Sequence, residues 1–267
     1  MKKTGASLVV KALEDEGIPF TFGIPGTHNI ELYDALASTS EVQAILVTDE
    51  QAASFMADGL WRATGRLGCV NVVPGAGLTH ALSGIAEAFM DHVPMLVLGC
   101  GIRRDSGRAY QLHDIDQQAL VAPVVKATYL VGRTADLYGT VREACQVARA
   151  GVPGPVFVEV PANLYMVSEE VAGEDSANAV PDGIGQGSGG SRAHPVPPEN
   201  SVLLEPSEPL DHLAPLDLTA TLRLLENSKR PLLYLGAGAT TTAGKVVELA
   251  EALQSPVSTT FQGKGVF

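Results

Sequence analysis

Apolar residues in the first 165 positions follow two alternating spacings. Residues 6–16 show helical spacing, whereas residues 42–47 form a short apolar run that is typical of a buried strand. Repeated alternation of these patterns predicts an α/β fold in which helices cover both faces of a parallel sheet. The predicted helices span residues 6–16, 30–37, 50–63, 78–90 and 135–150, and the predicted strands span residues 20–22, 42–47, 67–73, 94–98, 124–131 and 156–160.

A change of composition predicts how the chain divides into domains. Residues 1–166 carry the alternating pattern, while residues 167–213 are rich in Gly, Ser and Pro, as flexible linkers are. Helix and strand patterns resume in residues 214–267, but too few elements remain there to close a sheet. We therefore predict a complete first domain, a linker and a truncated, Rossmann-like central domain.

Composition and charge narrow the classes of function. Hydrophobic residues make up 45% of the 267 residues, so the chain can bury a sizeable core. The formal net charge of -12 argues against a nucleic-acid-binding protein, which needs a basic surface to displace counterions. No apolar run reaches the length of a membrane helix, and no signal peptide is recognisable. Three dispersed cysteines without metal-binding spacing predict a cytoplasmic protein.

Three loop motifs follow successive predicted strands. They are Gly23-Ile24-Pro25-Gly26-Thr27, Thr48-Asp49-Glu50 and Pro74-Gly75-Ala76-Gly77. Because ligands bind at the carboxyl ends of parallel strands, these loops form the candidate ligand site. Each motif also has a structural alternative. The glycines suit tight turns, Asp49 suits a helix N-cap, and an acid such as Glu50 is stabilised near a helix N-terminus.

The motifs around these loops resemble those of a known family. Residues 50–65, which read EQAASFMADGLWRATG, are similar to the glutamate helix of thiamine-diphosphate-dependent enzymes. The segments 23–26, 74–77, 91–95 and 151–161 occur in the order and at the spacing of the same family. The resemblance covers residues 4–165 and 230–267. It is to the branch that contains acetolactate synthases and 2-oxo acid decarboxylases, including benzoylformate decarboxylase.

The resemblance implies a site for the aminopyrimidine ring of thiamine diphosphate. Glu50 would be the catalytic residue, sharing a proton with a ring nitrogen so that the cofactor's reactive carbon can lose its own proton. That carbon attacks the carbonyl of a 2-oxo acid, and carbon dioxide leaves. The cofactor-binding residues that the resemblance implies beside Glu50 are Ile24, Pro25, Gly26, Pro74 and Gly75.

A small 2-oxo acid substrate would contact a second group of residues. Thr27 matches a serine of benzoylformate-decarboxylase-like members, and its alternative role is an N-cap. Gln111 matches a glutamine of acetolactate synthases, whereas Leu112-His113-Asp114 is closer to decarboxylase-like relatives. Carboligation and simple decarboxylation therefore both remain open. The candidate substrate-binding residues are Thr27, His28, Gln111 and His113.

The resemblance also implies parts that this sequence does not contain. The family binds Mg²⁺ and the diphosphate through a G-D-G motif on a later domain, and no segment here matches that motif. We therefore assign no metal ligand to this chain and expect a second subunit, in a homodimer or tetramer, to supply the diphosphate-binding domain. The chain is then either part of a longer enzyme or a complete product that pairs with a separate chain. FAD occurs in some central domains of the family, but this sequence does not demonstrate a site for it.

Two hypotheses from other classes stand beside the enzyme. The first is a catalytically inactive fragment that acts as a binding or assembly module. The second is a nucleotide-binding oxidoreductase, which rests on Gly236 and Gly238 between a predicted strand and a predicted helix. A single G-x-G is a weak dinucleotide signal.

Overall fold

The computed structural model describes residues 2–107, 112–170 and 217–267. The chain divides into two compact units, one N-terminal and one C-terminal. Residues 168–170, which the sequence assigned to the linker, form a strand of the N-terminal unit. Most of the predicted linker lies outside the described residues, so the domain boundaries stay a prediction.

The N-terminal unit is built on a parallel β-sheet. Its strands are, in chain order, β1 (Lys2–Thr4), β2 (Phe20–Gly23), β3 (Gln43–Leu46), β4 (Cys69–Val72), β5 (Met95–Gly101), β6 (Ala127–Leu130), β7 (Pro155–Pro161) and β8 (Ser168–Glu170). Six of them form one sheet in the order β3-β2-β4-β5-β7-β6, and every neighbouring pair is parallel. β1 and β8 form a separate antiparallel pair.

Helices cover both faces of this sheet. They are α1 (Gly5–Asp15), α2 (Ile30–Leu36), α3 (Glu50–Thr64), α4 (Ala76–Met90), α5 (Gln117–Val121), α6 (Leu137–Arg149) and α7 (Ala162–Met166). Buried residues of α1, α2 and α6 share one hydrophobic core, and those of α3 and α4 share another. Among the described residues, no helix combines the length and the apolar character that a bilayer-spanning helix requires.

The strands contribute side chains to both cores in alternation. In β7, Val156 and Val158 belong to the core of α1 and α6, whereas Phe157 belongs to the core of α3 and α4. Gly99 in β5 leaves room for the ring of Phe157, because a Cβ atom there would lie 2.3 Å from that ring. The central strands β4, β5 and β7 are buried on both faces, as strands of a parallel sheet covered by helices are. The predicted α/β fold class is confirmed.

Some elements differ from the prediction in length. The predicted strand 124–131 is reduced to β6, because a 3₁₀ turn at Ala122–Val124, which contains Pro123, precedes it. The predicted helix 135–150 begins with a 3₁₀ turn at Thr134–Asp136. α5, α7, β1 and β8 were not predicted, because segments of three to five residues are too short to display a period.

The C-terminal unit has the alternating order that the sequence predicts. It contains α8 (Thr219–Glu226), β9 (Leu233–Leu235), α9 (Ala243–Leu253) and β10 (Val257–Thr259), and its two strands pair in parallel. A 3₁₀ segment at Ala237–Thr242 precedes α9, and there the hydroxyls of Thr240 and Thr242 donate to main-chain carbonyls. Such local hydrogen bonds compete with a regular α-helix.

Candidate functional site

Glu50 is placed by the start of α3. The Asp49 carboxylate caps this helix and accepts from the Gln51 N–H at 2.9 Å, as its N-cap interpretation predicts. Glu50 follows in the first turn, but its side chain is only 11% exposed, compared with 51% for Asp49. An acid that served only the helix dipole could stay in solvent, so the burial of Glu50 requires a further reason.

The three predicted loops meet beside the Glu50 carboxylate. A Cβ atom on Gly77 would lie 3.1 Å from Glu50 Oε1 and 2.8 Å from Val73 Cγ2. A Cβ atom on Gly26 would lie 2.7 Å from Val73 Cγ1. The Val73 side chain therefore stands between Gly26 and Gly77, and the missing side chains of both glycines make this close approach possible. Motifs that are distant in sequence thus form one site at the carboxyl edge of the sheet.

A fourth segment reaches this site through His113. Gly75 has a φ of 70°, and a Cβ atom there would lie 3.3 Å from His113 Cβ. The ring centroids of His28 and His113 are 5.6 Å apart in an edge-on arrangement. The structure therefore brings together two histidines that the sequence proposed separately as substrate contacts.

The remaining predicted residues differ in exposure. Pro25 and Thr27 are exposed, Ile24 is half-buried and Pro74 is buried. The alternative role of Thr27 as an N-cap is wrong, because the N-cap of α2 is Asn29. Gln111 lies outside the described residues, and its contact with substrate stays a prediction.

A histidine that the sequence places near the cleft, without a predicted role, lies beside Glu50. His80 Nδ1 lies 3.8 Å from Glu50 Oε2 and 3.5 Å from Asp49 Oδ1. The ligand atoms of these three residues all lie within 4.8 Å of one another, close enough to hold a metal ion. His80 is 61% exposed and Asp49 51%, and we treat the group as a solvated charge cluster at the mouth of the site.

Replacing Asp49 separates the capping role from the chemistry of its neighbour. We expect Asp49→Ala to lower the free energy of unfolding by about 1 kcal/mol, because the Gln51 N–H loses its acceptor. Asp49→Asn retains an acceptor of similar geometry and serves as the matched control, with a loss of only a few tenths of a kcal/mol. Urea unfolding of the three proteins measures the difference. Equal losses for Asp49→Ala and Asp49→Asn would show that charge, and not capping, stabilises this end of α3.

The His28 imidazole gives the site a predictable pH dependence. Burial, followed by the charge of His113, lowers the pKa of His28 below its ordinary value of 6.5. As the pH falls below 6.5, the unfolded chain therefore takes up a proton before folded His28 does, and the free energy of unfolding decreases. Between about pH 7.5 and about pH 5.5, we expect Tm to fall further in the wild type than in His28→Gln.

His113 supplies the control for this measurement. His113→Asn keeps a residue that tolerates the φ of 68° and removes the neighbouring positive charge, so it should recover part of the difference. Identical pH dependence of Tm in the wild type and His28→Gln would contradict the assignment to His28.

Comparison with known proteins identifies the family. Residues 3–120 match the N-terminal TPP binding domain of thiamine pyrophosphate enzymes, and residues 218–267 match the central domain of those enzymes. The chain belongs to the thiamine pyrophosphate enzyme family. The first match spans all three loops and Glu50, and the second spans α8 to β10. The resemblance inferred from the motifs is therefore confirmed, and the match to the central domain favours it over the oxidoreductase hypothesis for Gly236 and Gly238.

Acetolactate synthases are among the curated proteins that are similar to this chain. The chain is 32% identical over 270 residues to the acetolactate synthase large subunit of Haemophilus influenzae, covering 100% of the chain and 43% of that protein. It is 35% identical over 267 residues to the isozyme 3 large subunit of Escherichia coli, covering 99% and 42%. An acetolactate synthase of Arthrospira platensis is 32% identical over 269 residues. The chain thus spans about two fifths of the length of these relatives, 42–43% in each case.

The described residues fit the aminopyrimidine of the family's cofactor. No hydrogen bond joins the Glu50 carboxylate to another described residue, and the nearest basic side chain, His80, stays 3.8 Å away. A carboxyl group that is nearly buried and has no hydrogen-bond partner suits a ring nitrogen with which it can share a proton, because burial without such a partner is costly. Val73 gives the space beside it an apolar wall, and Gly26 and Gly77 let backbone approach closely.

Sequence reasoning missed buried and half-buried residues that connect the loops of the site to one another and to the sheet. The predicted strand 67–73 ends at Val73, and its position directly before Pro74 marks it as the last residue to reach the carboxyl edge. Asn29 and Asn71 are fully buried polar residues near the first loop. Asn71 interrupts an apolar strand, and this was the available signal, since a polar residue inside such a run needs a partner.

Proposed function

We propose that this chain supplies the aminopyrimidine-binding half of a thiamine diphosphate site that acts on a small 2-oxo acid, with acetolactate-synthase-like carboligation or decarboxylation as the reaction. One observation carries the proposal. Glu50 is nearly buried, lacks a hydrogen-bond partner among the described residues, and lies where three loops of the N-terminal TPP binding domain meet.

Glu50 has the central role in the proposed chemistry. Its carboxyl group holds a proton at the pyrimidine ring nitrogen and shares it as charge develops on the ring. The burial of the Glu50 side chain strengthens this hydrogen bond relative to one in solution. When bound, the cofactor supplies a carbon nucleophile that attacks the substrate carbonyl and accepts the electrons released with carbon dioxide.

The neighbouring residues orient the ring and the substrate. Ile24, Pro25 and Gly26 form one wall of the proposed cofactor site, and the second wall is formed by Pro74 and Gly75. Thr27, His28, Gln111 and His113 are the proposed substrate contacts. The edge-on contact between His28 and His113 supports a pair of imidazoles that can hold the substrate carboxylate or move a proton near the reacting carbon.

The diphosphate and its Mg²⁺ require groups from elsewhere. We propose that a second subunit provides them in a homodimer or tetramer, since the sequence contains no G-D-G motif. Exposed apolar side chains support a subunit contact on the helices beside Glu50: Phe55 and Met56 of α3, and Phe89 and Met90 of α4. We assign no FAD to the central domain, because the sequence demonstrates no site for it. A cytoplasmic location remains a prediction, and three buried free thiols suit a reducing compartment.

Turnover by the protein from its native source tests this function. We would determine the intact mass of the purified protein and measure consumption of pyruvate with and without thiamine diphosphate and Mg²⁺. Cofactor-dependent consumption supports the proposal, and the product distinguishes carboligation from decarboxylation. A protein that binds no thiamine diphosphate and consumes no 2-oxo acid would instead be the inactive binding or assembly module. A mass above 27.8 kDa would mean that the native protein extends beyond this chain.

A further inference from the structure

The loop after β2 is fastened by a buried side chain. Asn29 is fully buried, and its Oδ1 accepts from the Gly26 N–H at 2.6 Å. Its Nδ2 donates to the Ile24 carbonyl at 3.4 Å, and its own N–H donates to the Gly26 carbonyl at 3.0 Å. The side chain therefore holds both ends of the segment from Ile24 to Gly26, which is the proposed cofactor wall.

We call Asn29 and its hydrogen bonds to Ile24 and Gly26 the clip. A second buried asparagine, Asn71, connects this clip to the sheet. Asn29 Nδ2 also donates to Asn71 Oδ1 at 3.4 Å, and Asn71 lies in β4 with no exposed surface. Its strand neighbours Val70 and Val72 are apolar core residues. An amide in such surroundings destabilises the fold unless it is hydrogen-bonded, so an ordinary sheet would place an apolar residue here.

Helix capping does not explain Asn29. It occupies the N-cap position of α2, yet its side chain makes no capping hydrogen bond to that helix. Its acceptor is directed backward to Gly26 instead. The side chain is thus committed to the loop and not to the helix that follows.

The clip acts on the same contact that defines the site. Gly26 rests against Val73, which in turn contacts the position of Gly77 beside Glu50. A loop released at Gly26 could move away from Val73, and the space facing Glu50 would widen. Such a mobile loop weakens ligand binding, because part of the binding free energy must then be used to order the loop.

We propose that Asn29 and Asn71 are positioning residues of the cofactor site. They hold the Ile24–Gly26 wall where it can contact an aminopyrimidine ring that is bound at Glu50. Neither residue would touch the reacting atoms. The proposal rests on the proposed function, because it assigns the clip a role in binding thiamine diphosphate.

Amide exchange and cofactor affinity together test the clip. In the full protein, Asn29→Leu removes both the acceptor for the Gly26 N–H and the donor to the Ile24 carbonyl at similar shape, and Asn29→Asp retains the acceptor alone. In Asn29→Asp, the amide of Asn71 can rotate so that its Nδ2, which has no partner in the structure, donates to the new carboxylate. We would follow exchange of the Gly26 amide and measure the affinity for thiamine diphosphate with Mg²⁺ by calorimetry. Amides of β5 report on global unfolding.

Asn29→Leu should speed Gly26 exchange and weaken cofactor binding by roughly tenfold each, with the β5 amides unchanged. Asn29→Asp should restore both only in part, because a carboxylate cannot donate to the Ile24 carbonyl. If Gly26 exchange in Asn29→Leu equals that in the wild type, Asn29 does not hold the loop. If exchange is faster but the affinity for thiamine diphosphate is unchanged, the clip has no role in cofactor binding. If Asn29→Leu does not fold, Asn71→Val decides, because it must produce the same two changes. A wild type that binds no thiamine diphosphate would sink the proposed function itself, a result distinct from equal affinities of wild type and variants.

Discussion

Glu50→Gln should lower the rate of thiamine-diphosphate-dependent 2-oxo acid consumption on the order of 10²–10⁴-fold, the range that a positioned acid–base group contributes. The substitution preserves the size of the side chain and its ability to hydrogen-bond a ring nitrogen. It removes the proton that a carboxyl group can share. We therefore expect kcat to fall much more than the affinity for thiamine diphosphate, as occurs when an interaction of the transition state is lost.

The matched control for this variant is Glu41→Gln, which makes the same chemical change at an exposed glutamate before β3. Its rate should equal that of the wild type. Tm should be nearly the same in all three proteins, because Asp49, and not Glu50, caps α3. If Glu50→Gln binds thiamine diphosphate and its rate stays within a few-fold of the wild type, Glu50 has no catalytic role. It would then be only an acid that stabilises the first turn of α3.

The elements that frame the site could be predicted from the sequence because each has its own local signal. Asp49 ahead of an amphipathic run predicts the start of α3, and the structure begins that helix at Glu50. Apolar runs predict β2 and β4, and the glycines after them predict turns. Parallel strands end at the same edge of a sheet, so placing the three loops together needs only the fold class.

The contacts inside the site could not be predicted in the same way. The approach of His113 to Gly75 and His28 joins segments far apart in sequence, through a left-handed residue that no local pattern marks. His80 reaches Glu50 because α3 and α4 pack side by side, and Gly84 of α4 leaves room there for Ser54 of α3. Such geometry is set by tertiary packing, whereas periodicity reports only which face of an element is buried.

Gly23→Ala should cause the largest loss of stability among these variants, because Gly23 sits where β2 turns into the proposed cofactor wall. A Cβ atom there would lie 2.0 Å from the Asn71 carbonyl oxygen and 2.9 Å from the Tyr33 hydroxyl oxygen. The first of these atoms belongs to the backbone of the paired strand β4 and cannot rotate away. We expect a loss of about 3 kcal/mol, at the upper end of the usual cost of overpacking, and a Tm lower by about 6–12 °C for a domain of this size.

Gly139→Ala, in the same unit, should raise the free energy of unfolding instead of lowering it. Gly139 lies in α6, and a Cβ atom there would meet nothing within 4 Å, so alanine should stabilise the helix by roughly 0.5–1 kcal/mol. Thermal melts of the two variants should therefore shift in opposite directions from the wild type. Because Gly23 adjoins Ile24, the displaced strand should also weaken thiamine diphosphate binding, which Gly139→Ala should leave intact. A Gly23→Ala protein with the Tm of the wild type would mean that β2 and β4 are not paired with Gly23 opposite Asn71, and the position of the loop relative to Glu50 would have to be revised with it.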